Sequence, residues 1–341
     1  MNRLLSLTSL VLVLLAAAPM PTDAWTRSPA TTFARLPEGS TGPEGLTVDS
    51  DGNVYVTTFG FNASGPVGGP GQLFVFDPSG SLLRQVSIAN STSHLLGLAF
   101  HPKTGDLLVI DFGAATVLRV NPFTGASSVF MTVTGSAGLN ALTFDATGNV
   151  YVSDSFQGII WKTPRHGGAG AAWVTSSLLT TTGTPPFGAN GLAFNKGGTA
   201  LFVANTGSDT VVRIPVTGGT PGTPAVFVNS INGADGLVID KDDNIWVCAN
   251  QSDEIVVLDP TGCAIAKLGD FEGIDSGGAA QGLLFPASLA FGGDFLYVTN
   301  LALDLRLFGL AQSLDSQWTQ QVTTYTVSKI PARIPTIQGL P

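Results

Sequence analysis

Glu44, Asn140, Asn190 and Asp235 occupy one position of a phrase that the chain writes six times. The phrase is a residue facing a Gly-Leu or a close substitute, a short apolar strand, a turn of Asp, Asn and Gly, and a second apolar strand. Its copies read PEGLTVDSDGNVYVTTF from Pro43, LLGLAFHPKTGDLLVIDF from Leu95, LNALTFDATGNVYVSDS from Leu139 and ANGLAFNKGGTALFVANT from Ala189. The fifth runs from Gly233 to Asn250, and the shorter sixth, PASLAFGGDFLYVTN, starts at Pro286. Aligned on the residue before the Gly, the column is Glu44, Leu96, Asn140, Asn190, Asp235, Ala287, with successive spacings of 52, 44, 50, 45 and 52 residues. Two carboxylates and two carboxamides form a hard, all-oxygen donor set. Such a set favours Ca²⁺, Mg²⁺ or Mn²⁺ over thiolate-seeking metals and leaves Zn²⁺ open. Brought together without a cation, the two carboxylates would repel and resist ionisation.

Each phrase reads as a β-hairpin by its period and turn chemistry. Six copies at roughly 40 to 50 residues match the period of a propeller blade. The expected fold is all-β: a six-bladed β-propeller with four-stranded blades around a central channel. Pseudo-symmetry then brings the column to one end of that channel. Third strands end in Asp-Pro, Asn-Pro or similar turns, as in QLFVFDP (from Gln72) and EIVVLDP (from Glu254). Fourth strands are expected at Leu82–Ile88, Ala126–Val133, Ala171–Ser176, Ala225–Asn229 and Ala264–Leu268. A strand near Thr31–Leu36 and another within Gln321–Ile330 should meet in the last blade and close the ring, with Pro331–Pro341 as an extended tail.

Three insertions break the regularity: Phe61–Gly71, Leu178–Gly188 and Gly269–Gln281. The last two run into the column and are expected at its end of the channel, as walls or a lid, or as ordinary loop growth. A second column, Asp111, Asp154, Asn205 and Asn300, with Thr58 and Ala249 at the same place, fits side chains that cap strand ends by bonding to backbone. His94 lies two residues before Leu96 and could approach the channel mouth; His101 and His166 fall in turns and read as solvated. The acidic loop at Asp270, Glu272 and Asp275 reads as a solvated face. Cys248 and Cys263 are either one disulfide or two separate thiols. Neither has a His near it in sequence. Asn62, Asn90 and Asn250 begin Asn-x-Ser/Thr triplets, glycan acceptors only in a eukaryotic secretory pathway.

At the start of the chain, Arg3 precedes an apolar run from Leu4 to Ala18 and a small-residue stretch at Thr22–Ala24. This is the pattern of a secretory signal peptide over residues 1–24, too short in its apolar run to span a bilayer comfortably. It predicts a secreted protein, extracellular or periplasmic, whose residues 25–341 form the propeller. Charged residues make up 11% of the chain against about 25% in an average soluble protein, so Ser, Thr, Asn and Gly must cover the surface. A net charge of −9 argues against a nucleic-acid partner. No membrane span is expected in the mature chain, and a monomer is.

The PEGL of Pro43–Leu46, the NGLAF of Asn190–Phe194 and the DGL of Asp235–Leu237 resemble the senescence-marker-protein/gluconolactonase family of regucalcin-like sugar lactonases. All six blades can be assigned, so the resemblance covers essentially the whole chain after residue 24. It implies a divalent metal, usually calcium, on the channel axis, held by Glu44, Asn140, Asn190 and Asp235. Ala141 follows Asn140 where the family usually has Gly or Asp. The histidine pair associated with paraoxonase-like relatives has no counterpart in the column. Nor do the Arg and Asn that grip sugar lactones in close regucalcin relatives have a clear one. The reading is a metal-dependent hydrolase of lactones or esters, with Asp235 as base or nucleophile and Glu44 as a ligand. The alternative is a non-catalytic secreted propeller that binds protein or glycan partners, since fold does not fix function.

Overall fold

The computed structural model describes residues 27–62, 64–310 and 316–335; the expected signal segment at 1–24 and the end of the tail lie outside them. Six antiparallel sheets, mainly of four strands, form the blades of a six-bladed propeller. In the first blade the strands Pro43–Val48, Val54–Thr58, Gln72–Phe76 and Leu82–Ser87 run outward from the axis in sequence order. Blades two to five start with the inner strands Leu95–Phe100, Leu139–Phe144, Ala189–Phe194 and Ala234–Ile239 and follow the same order. The sixth takes Pro286–Gly292, Phe295–Asn300 and Thr326–Pro331 from the end of the chain, and Thr31–Arg35 from its beginning as the outermost strand. The two ends thus close the ring, as the sequence suggests. Each expected fourth strand is present to within two residues at either end.

Both faces of a blade are buried, so successive side chains of one strand serve two different neighbours. Val54, Val56, Phe74 and Phe76 pack toward blade six with Phe33 and Tyr297. Tyr55, Leu73 and Val75 pack toward blade two with Leu95, Leu98 and Leu107. Six apolar clusters result, one at each junction between neighbouring blades. The outer strands are wetter, and Leu82 and Leu83 of the first blade are exposed.

The inner strands are drawn very close together at the column. A β-carbon on Gly45 would lie 2.2 Å from the carbonyl oxygen of Leu96, and one on Gly236 would lie 2.4 Å from that of Ala287. Each glycine therefore admits the column residue of the next blade, and this is what the recurring x-Gly-Leu phrase does. Every inner hairpin also slips register at this point, between Pro43 and Leu46 in the first blade and at the matching places in the other five. A bulge re-aims a side chain and leaves backbone groups without a ladder partner. Hydroxyls on the second strands meet some of those groups: Thr57 Oγ1 donates to Leu96 O at 2.7 Å, and Thr299 Oγ1 donates to Glu44 O at 2.8 Å.

One expectation changes, and two open alternatives are decided. His101 is 1% exposed rather than solvated. Its Nδ1 accepts from the backbone N–H of Lys103 and Thr104, so Nε2–H donates to Gly148 O at 2.8 Å and ties blade two to blade three. The Gly269–Gln281 insertion folds into a small hairpin, Phe271–Ile274 with Ala280–Gly282, joined to the closing strands through Arg35–Asp275 at 2.6 Å. It leaves the fourth strand at the column end, where Leu268 pairs with Ile255, but lines neither cavity described below, which is the loop-growth alternative. Cys248 is buried and Cys263 exposed, and both are free thiols.

Candidate metal centre and its vestibule

The bulges turn Glu44, Asn140, Asn190 and Asp235 onto one small cavity on the propeller axis, closed at its sides by Leu96 and Phe285. Its volume is ≈ 30 Å³, about the share of one water in the liquid. All four side chains are 4–5% exposed. Burial raises the Glu44 carboxyl well above the usual carboxylate range, and the nearby Asp235 charge raises it further. Burial likewise pushes Asp235 up to about 7, against the opposing pull of the Asn250 and Asn190 amides. Two carboxylates of a folded protein have thus been placed where water cannot stabilise them and where each disfavours the charge of the other.

The amides are oriented by a further ring of residues. Asn140 Nδ2 approaches Ser155 Oγ at 3.5 Å, Asn190 Nδ2 donates to Thr206 Oγ1 at 3.0 Å, and Asn250 Nδ2 donates to Asp235 Oδ2 at 2.9 Å. Ser155, Thr206 and Asn250 each directly follow the second column, one residue past the end of the strand paired to the inner one. The matching residues of blades one, two and six are Phe59, Phe112 and Leu301. One half of the channel mouth is therefore polar and the other half apolar. Sequence reading missed Ser155, Thr206 and Asn250, although each stands 15 or 16 residues after its column partner. It treated Asn250 only as the start of a glycan triplet, but Asn250 is 1% exposed and its side chain is bonded to Asp235.

Glu44 Oε2 and Asp235 Oδ1 are buried without a hydrogen-bond partner. Orphaned anionic oxygens are costly unless a cation or proton meets them. Among the described residues no three His, Cys, Asp or Glu side chains converge, so the donor set rests on two carboxylates supplemented by amides. Oxygen-only donors, two negative charges and a void of one small sphere fit a hard divalent cation. The fit holds for Ca²⁺, which accepts amide oxygens and completes its shell with water.

The second column caps strands as expected. Asp154 accepts from the backbone N–H of Gly138, Phe156 and Gln157 and from Trp161 Nε1; Asp111 accepts from Thr92 and Ala114; Asn205 and Asn300 bind neighbouring loop backbone.

Directly outside the small cavity lies a larger one of ≈ 810 Å³, and Phe59 and Phe187 line both. His94 stands in its wall, half-buried against the Phe59 and Phe61 rings, and burial lowers its pKa. Of the insertions, Leu178–Gly188 reaches the mouth through Pro185, Pro186 and Phe187, as expected. Phe61–Gly71 reaches it as well. Antiparallel pairing of Pro43 with Thr58 returns the second strand to the column end, so the loop that follows must emerge there.

Comparison with known proteins places this architecture. The profile described as SMP-30/Gluconolactonase/LRE-like region matches residues 114–270, and the strictosidine synthase-like N-terminal profile matches residues 30–59. No curated protein matches the chain. Among solved structures, a luciferin-regenerating enzyme superposes with a TM-score of 0.64 at 16% identity, covering 89% of this chain and 95% of the other. A calcium-binding regucalcin from Agrobacterium tumefaciens gives 0.63 at 17% identity, covering 92% and 98%. A gluconolactonase from Xanthomonas campestris gives 0.61 at 12% identity, covering 90% and 98%. At these identities the superpositions establish a shared fold and nothing finer. The chain is thus a six-bladed propeller of the same fold as these proteins, and its middle blades, residues 114–270, are similar to the SMP-30/gluconolactonase/LRE-like profile.

Proposed function

We propose that the protein is a secreted, metal-dependent hydrolase of lactones or esters, with a divalent cation, Ca²⁺ first, held by Glu44, Asn140, Asn190 and Asp235. The observation that carries this reading is the pair of buried carboxylates on the axis, each with an oxygen that no protein group meets. A scaffold that only binds partners through its rim has no use for them. When bound, the cation supplies charge that polarises a carbonyl oxygen.

The chain's own residues do the rest. Ser155, Thr206 and Asn250 hold the amides and Asp235 in place. The apolar wall of Phe59, Leu96 and Phe285 keeps bulk water from the carboxylates. The Asp235 carboxylate accepts a proton from water as the water oxygen bonds to the acyl carbon. The ring or ester C–O bond then breaks, and the proton passes from Asp235 to the departing oxygen. Direct attack by Asp235 on the acyl carbon is the variant of the same reading. Glu44 remains a ligand.

The test is hydrolysis of sugar lactones, aliphatic lactones and aryl esters by chelator-stripped protein, before and after Ca²⁺ is restored. Turnover that returns with Ca²⁺ is expected. Absence of turnover on every substrate, with Ca²⁺ bound, would favour the non-catalytic binding propeller instead.

A further inference from the structure

The outer cavity indicates what the site takes. Six phenylalanines, Phe59, Phe61, Phe112, Phe156, Phe187 and Phe308, line it, and no Asp, Glu, Lys or Arg does. They form one network: Phe59 meets Phe61 at 5.0 Å and Phe112 at 5.7 Å, Phe112 meets Phe156 at 5.6 Å, and Phe156 stacks on Phe187 at 6.0 Å. Phe308 closes the far side against Phe61 at 5.0 Å. The rings come from five separate parts of the chain, so the cluster is not a by-product of one loop. Phe156 is 49% exposed and Phe308 is 37% exposed, although both could be buried by a guest in the cavity. Exposed rings gathered in a concavity mark a binding surface. The hydroxyl of Thr92 in this wall is already committed to Asp111, and Ser93 is nearly buried. The one other polar side chain in the wall is the His94 imidazole, whose Nδ1 meets Ser93 Oγ at 3.3 Å, so most hydroxyls of a sugar would lose water without replacement.

We propose that the substrate carries an aromatic or similarly bulky apolar group next to its acyl carbonyl, and that this group is held in the phenylalanine vestibule while the carbonyl reaches the mouth of the small polar cavity. The inference rests on the hydrolase reading for the word substrate; the apolar preference rests on the vestibule alone. The cavity is large enough for a bicyclic ring system, and its continuity with the axial cavity through Phe59 and Phe187 aligns the two parts of the ligand.

Two probes separate the claims. Chroman, a bicyclic aromatic ether with no carbonyl to hydrolyse, and tetrahydropyran, its monocyclic counterpart, are titrated by ligand-observed NMR. 3,4-Dihydrocoumarin and glucono-1,5-lactone are compared by kcat/KM. Chroman is expected to bind at least about 10-fold more tightly than tetrahydropyran. The double substitution Phe156→Ala/Phe308→Ala, which removes two exposed rings and leaves the blade interior intact, is expected to erase that preference and raise KM for dihydrocoumarin about 10-fold with kcat little changed. Equal binding of the two ethers, or a preference that survives the double substitution, overturns the inference. So does faster hydrolysis of gluconolactone than of dihydrocoumarin. If chroman binds selectively and no lactone or ester is hydrolysed, the vestibule stands as an apolar binding site and the hydrolase reading falls.

Discussion

Gly236→Ala is expected to strain the propeller where blade five meets blade six. The new methyl carbon would sit 2.4 Å from Ala287 O, 2.8 Å from Ser288 Cα and 3.1 Å from Leu289 Cδ2. Ordinary carbon–oxygen contact needs about 3.4 Å, so the inner strands must separate by about 1 Å or the bulge must rearrange. The obstacle is backbone and cannot rotate away. Overpacking of this kind costs about 1–3 kcal/mol, and a backbone obstacle belongs at the upper end. A loss near 3 kcal/mol should lower Tm by at least about 5 °C in a chain of this size. The same logic grades a series. Gly45→Ala, with contacts of 2.2 and 2.5 Å, should be at least as damaging, and Gly97→Ala, with a nearest contact of 2.8 Å, should be milder. Gly197→Ala, where nothing lies nearer than 3.7 Å, should be neutral or slightly stabilising. Thermal denaturation of the four variants gives the ranking. If Gly236→Ala and Gly45→Ala melt with Gly197→Ala, close approach between blades is not what the repeated glycine serves.

Four further outcomes are expected. Asn250→Ala removes the donor to Asp235 Oδ2 and should cost about 1–3 kcal/mol of stability, read by urea titration, while weakening Ca²⁺ binding. Partial burial pushes the Asp145 carboxyl up, but the bonds from Thr147 and Asn149 outweigh it and bring the group down to about 2. A lowered folded pKa contributes stability above the unfolded value and loses it as pH falls through the folded one. Asp145→Asn should therefore melt below wild type at pH 7, with the gap closing between about pH 4 and pH 2. Glu254, itself buried, meets Arg27 at 3.0 Å and Lys267 at 2.5 Å, so Glu254→Gln should loosen the N-terminal segment and cost about 1–2 kcal/mol, visible as faster proteolysis near Arg27. A thiol reagent should label one cysteine per native chain, Cys263, and two after denaturation; no labelling in the native state would mean a disulfide had formed.

Much of the architecture was legible because the repeat is written in the chain six times. Blade number, strand order and ring closure follow from the phrase and from the two unmatched strands at the ends. The column was legible for the same reason, since pseudo-symmetry converts one position per repeat into one place in space. What the phrase does not state is the slip in register. A bulge is a pairing event between two strands, and neither strand alone records it. The supporting residues Ser155, Thr206 and Asn250 carried a usable signal, an offset of 15 or 16 residues from the column, but a single Ser or Thr at a strand end has too many ordinary uses to stand out. His101 was misread because a turn position suggests solvent, whereas the neighbouring blade covers it and Gly148 O takes its proton donor. The third insertion emerges at the expected end, but its choice between wall and loop growth was not legible, because a loop that precedes a column residue can turn away from the mouth and pack on the closing strands. The vestibule was least visible of all. Its rings come from second-strand ends, two insertions and the short turn Leu305–Phe308, and only the ring of blades brings them together.

The central claim is that the axial carboxylates exist to hold a cation, and calorimetric titration of Ca²⁺ into chelator-stripped protein, with Asp235→Ala beside the wild type, tests it most directly. The account predicts one ion per wild-type chain and binding lost in the variant, whose Tm in the absence of metal should match or exceed that of wild type because one uncompensated buried charge has gone. Absence of binding to the wild type, or equal binding by both proteins, would contradict it and leave the propeller as a shared fold with a different use for its axis.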